Sequence, residues 1–289
     1  MILDTTVQEL LNERLSKLEA EFGADCMFYY GEIHSAVLQA YRDRIEDLKK
    51  KAKQPQNRVV IFLNTSGGSA EITEKFVEII RHHYQEVYFV VPDAAMSAGT
   101  MFCMSGDRIY MDYSSSLGPI DPQVWNGKQY VPALGYLDKV EALLAKAAAG
   151  TLLNAEFLIL QNQDLAMLSR YEQAKNLTVT LLKKWLVEYK FKNWSTHQTN
   201  PAKIGQPVTK EEKEARAEDV AKLLGDHKRW HSHGRMIGIE QLRKEIRLKI
   251  EDYTNVPALQ SLIRSYNDLV IDYIAKNQYN LFMHTRHFL

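Results

Sequence analysis

"RVVIFLNTSGGSAEI", residues 58 to 72, sets an unbroken run of β-branched, aliphatic and aromatic side chains directly before a Gly-Gly pair. A run of this kind reads as a strand buried on both faces, "TSGGS" as a turn, and residues 69 to 83 as the helix that follows. The pattern then repeats. "EVYFVV" (86 to 91) is the next strand, residues 97 to 105 a short helix, and "RIYM" (108 to 111) a further strand. Strands alternating with helices at this spacing predict a parallel α/β core. Upstream, Val7, Leu10, Leu11, Leu15 and Leu18 recur at helical spacing and predict a helix over 5 to 21. "CMFYYGEI" (26 to 33) reads as a strand, and an amphipathic helix runs on to about 52. The basic, polar linker "KKKAKQPQN" ends it.

Beyond residue 140 the texture changes. Residues 141 to 192 are rich in Leu and Ala with helical periodicity and no strand-like run. The polar stretch 193 to 219, with two prolines, reads as an exposed loop entering a charged helix. Leu259, Leu262, Ile263, Tyr266, Leu269, Val270 and Tyr273 share one face of a helix over 256 to 280. The expectation is a single domain over 1 to 289, with residues 141 to 228 as a helical insertion.

The bulk properties narrow the classes. The chain has 289 residues and 45% apolar side chains, enough for a substantial core. Lys plus Arg and Asp plus Glu stand at 36 each, so charge makes no case for a nucleic-acid partner. The two cysteines, Cys26 and Cys103, form no Cys-x-x-Cys pair and read as core residues in a reducing compartment. The N-terminus is acidic and amphipathic, without the apolar segment of a secretory signal. The window 87 to 104 is broken by Pro92, Asp93 and Gly99, which a spanning helix would not choose. A cytoplasmic protein without a membrane span is expected.

Four segments can carry chemistry. The Gly67-Gly68 turn lets a ligand approach backbone N–H groups beside a helix N-terminus, which suits an oxyanion or a phosphate. Alone it reads first as a tight βα turn, and the Gly-Lys-Ser/Thr signature of a P-loop is missing. Ser97, in "VVPDAAMSAGTMFCMSG" (90 to 106), stands between a strand and a helix among Ala94, Ala95, Ala98 and Gly99. It reads either as a nucleophile, with the N–H of Ala98 as an oxyanion donor, or as a helix N-cap in a closely packed turn. In "SSSLGPIDPQ" (114 to 123), Pro119 and Pro122 stiffen a loop around Asp121. A carboxylate held there can orient an imidazole, or can bond its own backbone. Three histidines follow in "GDHKRWHSHGRMIGIEQL": His227, His231 and His233. No His-Glu-x-x-His accompanies them and no carboxylate completes a metal site, so one histidine acting as a general base is the simpler chemistry. His82, His83, His284 and His287 read as helix-surface or terminal residues.

Together, "YYGEI", "VVIFLNTSGGSAEI" and "VVPDAAMSAGTMFCMSGDRIYMDYSSSLGPID" resemble the Clp-protease/crotonase superfold, a spiral of ββα units. Within it they resemble the signal-peptide-peptidase-A-like serine peptidases, and most nearly the serine dehydrogenase proteinase family, through Leu117 to Pro122 and "RWHSHGRMIGIEQL". The resemblance implies an α/β fold with a helical insertion and a C-terminal helix. It implies a serine peptidase with Ser97 as nucleophile, the N–H groups of Gly68 and Ala98 as oxyanion hole, and Asp121 and His233 completing a triad. His231 competes with His233, because Met236 stands where the family has proline. Relatives with a Ser-Lys dyad make Lys139 the alternative base, which burial would have to activate. No cofactor or metal is implied. Peptide or protein is the implied substrate, and a homo-oligomer is implied with the terminal helices as contacts. A crotonase-type acyl-CoA enzyme and a silent scaffold on the same fold are the rivals. An α/β-hydrolase esterase is not, because Asp121 follows Ser97 too closely.

Overall fold

The computed structural model describes residues 2–50, 56–198 and 201–286, so most of the expected linker after residue 50 lies outside the described residues. The chain opens with α1 (Ile2–Phe22), β1 (Asp25–Tyr30), α2 (Leu38–Lys50), β2 (Arg58–Asn64), α3 (Ala70–His83) and β3 (Glu86–Val90). Then come β4 (Ala94–Ala95), α4 (Ala98–Met104), β5 (Arg108–Met111), β6 (Ser116–Leu117), β7 (Gln123–Trp125) and β8 (Tyr130–Pro132). A helical stretch follows: α5 (Ala133–Ala148), α6 (Asn154–Gln161), α7 (Leu165–Trp185), α8 (Lys210–Gly225) and α9 (His227–Trp230). The chain closes with β9 (Ile237–Gly238), α10 (Ile239–Lys244), β10 (Glu251–Asp252), α11 (Pro257–Asn277) and β11 (Phe282–His284).

Strand periodicity explains the layers. Along β2, Val59, Ile61 and Leu63 face one apolar cluster, with residues of α2, α3, α4, α7 and α8. Val60 and Phe62 face another, built from α1 and α11. The same parity holds in β1, where Met27 and Tyr29 oppose Cys26 and Phe28. A strand covered by helices on both faces has no polar face to show, hence its continuous apolar run. Cys26 and Cys103 are buried and unbonded to one another.

The main sheet has the order β10-β5-β3-β2-β1-β11. Its first five strands are parallel, but β11 runs antiparallel to β1, so the core is mixed and not purely parallel as expected. β11 has three residues, too few to register as an alternating pattern. It also corrects the reading of His284 as a surface or terminal residue: the side chain is fully buried. His287 lies outside the described residues.

A second sheet, β4-β6-β9, sits where the main strands end. β3 leads into β4 and then α4, and β5 leads into β6, which is the ββα repeat. Isolated bridges Ile33↔Gly68 and Thr65↔Ala95 carry the ends of β1 and β2 into the same layer. The strand expected to reach residue 33 stops at Tyr30, because Gly31 at φ +128° turns the chain. The β7–β8 hairpin has no counterpart in the sequence reading.

Candidate active site

Ser97 joins β4 to α4 with φ +50° and ψ −114°, a backbone conformation that L-residues rarely adopt. Its hydroxyl does not cap the helix, so the N-cap reading falls away. The helix starts through the backbone, with Gly99 N–H donating to Met96 O at 2.7 Å and Met101 N–H to Ser97 O at 3.1 Å. The small residues around Ser97 serve close packing. A Cβ at Gly99 would lie 2.3 Å from Thr65 Cγ2, and one at Gly67 would lie 2.8 Å from Ser97 Cβ. Every residue of α4 is buried, which fixes the serine's backbone from below.

The Gly-Gly turn is held by Ile33. Ile33 N–H donates to Gly67 O, and Ser69 N–H donates to Ile33 O, both at 2.8 Å. Gly67 N–H donates to Thr65 Oγ1 at 3.0 Å. Both glycines have positive φ, +114° and +140°, so other residues would be strained there. Ser69 caps α3 by accepting from Ile72 N–H. Gly68 remains exposed at the edge of a groove.

Asp121 and His233, 112 residues apart, meet through Oδ1 and Nδ1 at 2.8 Å. The aspartate is 3% exposed and the histidine side chain 29%, so the carboxylate lies behind the ring. Gln123 Nε2 donates to the other oxygen, Oδ2, at 2.8 Å. The loop bearing Asp121 is anchored at both ends: Ile120 N–H donates to Leu224 O, and Ala133 N–H to Pro122 O. The indole of Trp230 donates to Leu223 O at 2.8 Å, so the C-terminal end of α8 supports the histidine segment as well. His231 is exposed at the left-handed cap of α9, and His227 lies 3.6 Å from Asp138. The three histidines therefore diverge. Among the described residues no three His, Cys, Asp or Glu side chains gather as a metal site.

Gly68, Ser97, Ala98 and His233 line one groove of about 940 Å³. Lys139 is exposed on α5 and does not line it. The sequence reading missed Gln123, Thr100, and the groove walls contributed by Trp125 and Tyr130 of the hairpin and by Arg170 of α7. Gln123 had one available signal, its position two residues after a proline-bracketed aspartate. Chemically, the groove offers a hydroxyl on a strained turn and backbone N–H groups at a helix start. It also offers an imidazole with one nitrogen held by a carboxylate. These are the parts of an acyl-transfer site.

Residues 42–213 match the family model described as ClpP-like SDH-type serine proteinase. Two uncharacterized proteins of Methanocaldococcus jannaschii are each 31% identical to the chain, over 83 and 88 residues. These matches cover 28% and 30% of this chain but only 29% and 27% of the relatives' own length. Two solved structures of a membrane-bound stomatin-specific protease are also similar. One is a serine-to-alanine mutant, with 13% identity and a TM-score of 0.44; it covers 78% of this chain and 76% of that one. The other is a lysine-to-alanine mutant in complex with a substrate peptide, with 14% identity and a TM-score of 0.43, covering 78% and 72%. No helix among the described residues is long and apolar enough to cross a membrane.

Proposed function

The chain belongs to the family of ClpP-like SDH-type serine proteinases, and we propose that it is an endopeptidase working through an acyl-enzyme on Ser97. The observation that carries this reading is the Asp121–His233 hydrogen bond at 2.8 Å, opening onto the groove that holds the strained Ser97. Asp121 accepts from His233 Nδ1–H, which leaves Nε2 as the basic nitrogen. His233 Nε2 takes the Ser97 proton as Oγ bonds to the peptide carbonyl carbon. The oxyanion that forms is met by the N–H groups of Gly68 and Ala98, and one such donor is worth ~10²–10³ in rate. As the C–N bond breaks, the imidazolium gives its proton to the leaving amine. Water, deprotonated by the same ring, then releases the acyl group and restores the serine.

An extended peptide would lie along the groove, pairing its main chain beside the Gly-Gly turn. The cleavage step itself needs neither ATP nor a cofactor. We read residues 1 to 289 as a single peptidase domain with 141 to 228 as its helical insertion. Lys139 is exposed and does not line the groove, which favours the histidine over the lysine as base.

Labelling with a fluorophosphonate, followed by peptide mapping, tests the assignment. A tag on Ser97 is expected in the wild-type chain and in Lys139→Ala, and its loss in His233→Ala. Ser97→Ala should lower peptide hydrolysis by on the order of 10⁴–10⁶-fold. Unchanged hydrolysis in that variant, or acyl-CoA binding without peptide turnover, would overturn the reading.

A further inference from the structure

Arg170, Gln173, Ala174, Leu177 and Thr178 of α7 all line the groove that holds Ser97. Counted from Arg170, these are steps of three, four, seven and eight residues, so one face of the helix runs along the groove. The stripe is graded from charged to apolar. At one end Leu177 packs against the apolar cluster that contains Met101 and Ile120, and both of these line the groove too. Met101 stands one turn of α4 beyond Ser97, so the apolar end adjoins the serine. At the other end Arg170 is exposed. The helical positions three and four away hold Ala166, Met167, Gln173 and Ala174, none of them an acid. Arg170 makes no ion pair with the described residues.

The other charges of the groove sit elsewhere. Glu32, His34 and Glu71 line its rim at the Gly-Gly turn. Glu71 accepts from the Ser69 hydroxyl at 2.7 Å, and Lys75, its helical neighbour, is taken by Glu78 at 2.6 Å. Glu172 and Lys175, the charges nearest Arg170 on α7, do not line the groove. An acidic side chain in the groove is thus repelled at the turn and attracted at Arg170. On the peptidase reading of this groove, we infer that Arg170 determines specificity. The substrate is an extended peptide with an apolar side chain among Met101, Ile120 and Leu177, and a carboxylate at Arg170. Spacing follows from the two geometries. Leu177 and Thr178 lie about 10–12 Å along the helix axis from Arg170. An extended peptide advances ~3.3 Å per residue, so the acidic residue stands three or four positions from the apolar one. An exposed pair of this kind is worth about 2–5-fold in affinity, and less at high salt.

Peptide binding to the full Ser97→Ala chain, read by fluorescence anisotropy, tests this apart from turnover. The probes are labelled Gly/Ser peptides, blocked at both ends, with one Leu and one Asp set one to six positions apart in either order. Matched peptides carry Asn for Asp. The Asp peptide should bind about 2–5-fold tighter than its Asn partner at a spacing of three or four, in one of the two orders. Arg170→Lys should keep that preference and Arg170→Glu should reverse it, both with unchanged circular dichroism. Equal affinities at every spacing overturn the inference, as does a preference that peaks elsewhere or survives Arg170→Glu. Hydrolysis of the same peptides by the chain with Ser97 intact separates the two readings. Cleavage with no preference for Asp would sink the role of Arg170 and leave the peptidase. Asp-dependent binding without cleavage would do the opposite.

Discussion

A serine held at positive φ outside the helical regions costs of order 1–3 kcal/mol, and such strain persists only where packing over-determines it. Here the turn leaves no room for a side chain at Gly67, where an added Cβ would lie 2.8 Å from Ser97 Cβ, and α4 is buried along its whole length. The residue type at 97 was legible as a candidate nucleophile, but its conformation was not, because the strain is imposed by a turn thirty residues upstream in the chain. The same holds for Asp121. Proline brackets marked it as rigid, and only the closeness of Gln123 in sequence hinted that its second oxygen is engaged. A hydrogen bond to a charged group contributes about 1.5–3 kcal/mol. If that orientation is needed only as His233 becomes charged, Gln123→Ala should lower kcat by roughly 10–100-fold with little change in KM. Steady-state kinetics on a short peptide checks it, and an effect confined to KM would place Gln123 in substrate binding instead.

At the scale of elements, α4 and the Asp121 loop are joined through one buried hydroxyl. Thr100 Oγ1 lies 2.8 Å from Ala95 O and 2.9 Å from Gly118 O, and accepts from Gly118 N–H at 2.8 Å. It ties the strand before the serine to the loop that carries the aspartate. Thr100→Val keeps the shape but strands these backbone groups in a dry interior, which should cost ~2–3 kcal/mol in denaturant unfolding. Thr100→Ser should recover most of that loss, and equal destabilisation by both variants would point to the methyl group instead. The strand-turn-helix elements from 58 to 111 were legible because periodicity and glycine act locally. The β7–β8 hairpin was not, since three-residue strands carry too little pattern and bury Val124 and Val131 against Tyr171 of α7, far along the chain.

For the molecule as a whole, His284 fastens both ends of the chain. Its Nδ1 accepts from Tyr266 of α11 at 2.8 Å, and its Nε2 donates to Asn12 of α1 at 2.9 Å. Burial pushes its pKa down to about 4, below the ~6.5 of an exposed histidine. The unfolded chain therefore takes up the proton first as pH falls. The contribution to stability is complete above pH ~6.5 and is lost progressively towards pH ~4, amounting to about 3 kcal/mol. Unfolding free energies at pH 7 and pH 5 should differ less in His284→Gln than in the wild type; an equal difference would assign the pH dependence to other groups. By itself the sequence determined the alternation of buried strands and helices, the Gly-Gly turn, and a short list of residues with the right chemistry. These follow from propensity and periodicity, which reach only a few residues along the chain. The tertiary structure alone decided that His233 rather than His231 meets Asp121, that Lys139 stays in solvent, and that an edge strand pairs antiparallel with β1. Burial and long-range proximity are properties of the packed chain, so residues 112 positions apart acquire a 2.8 Å contact only when the fold closes.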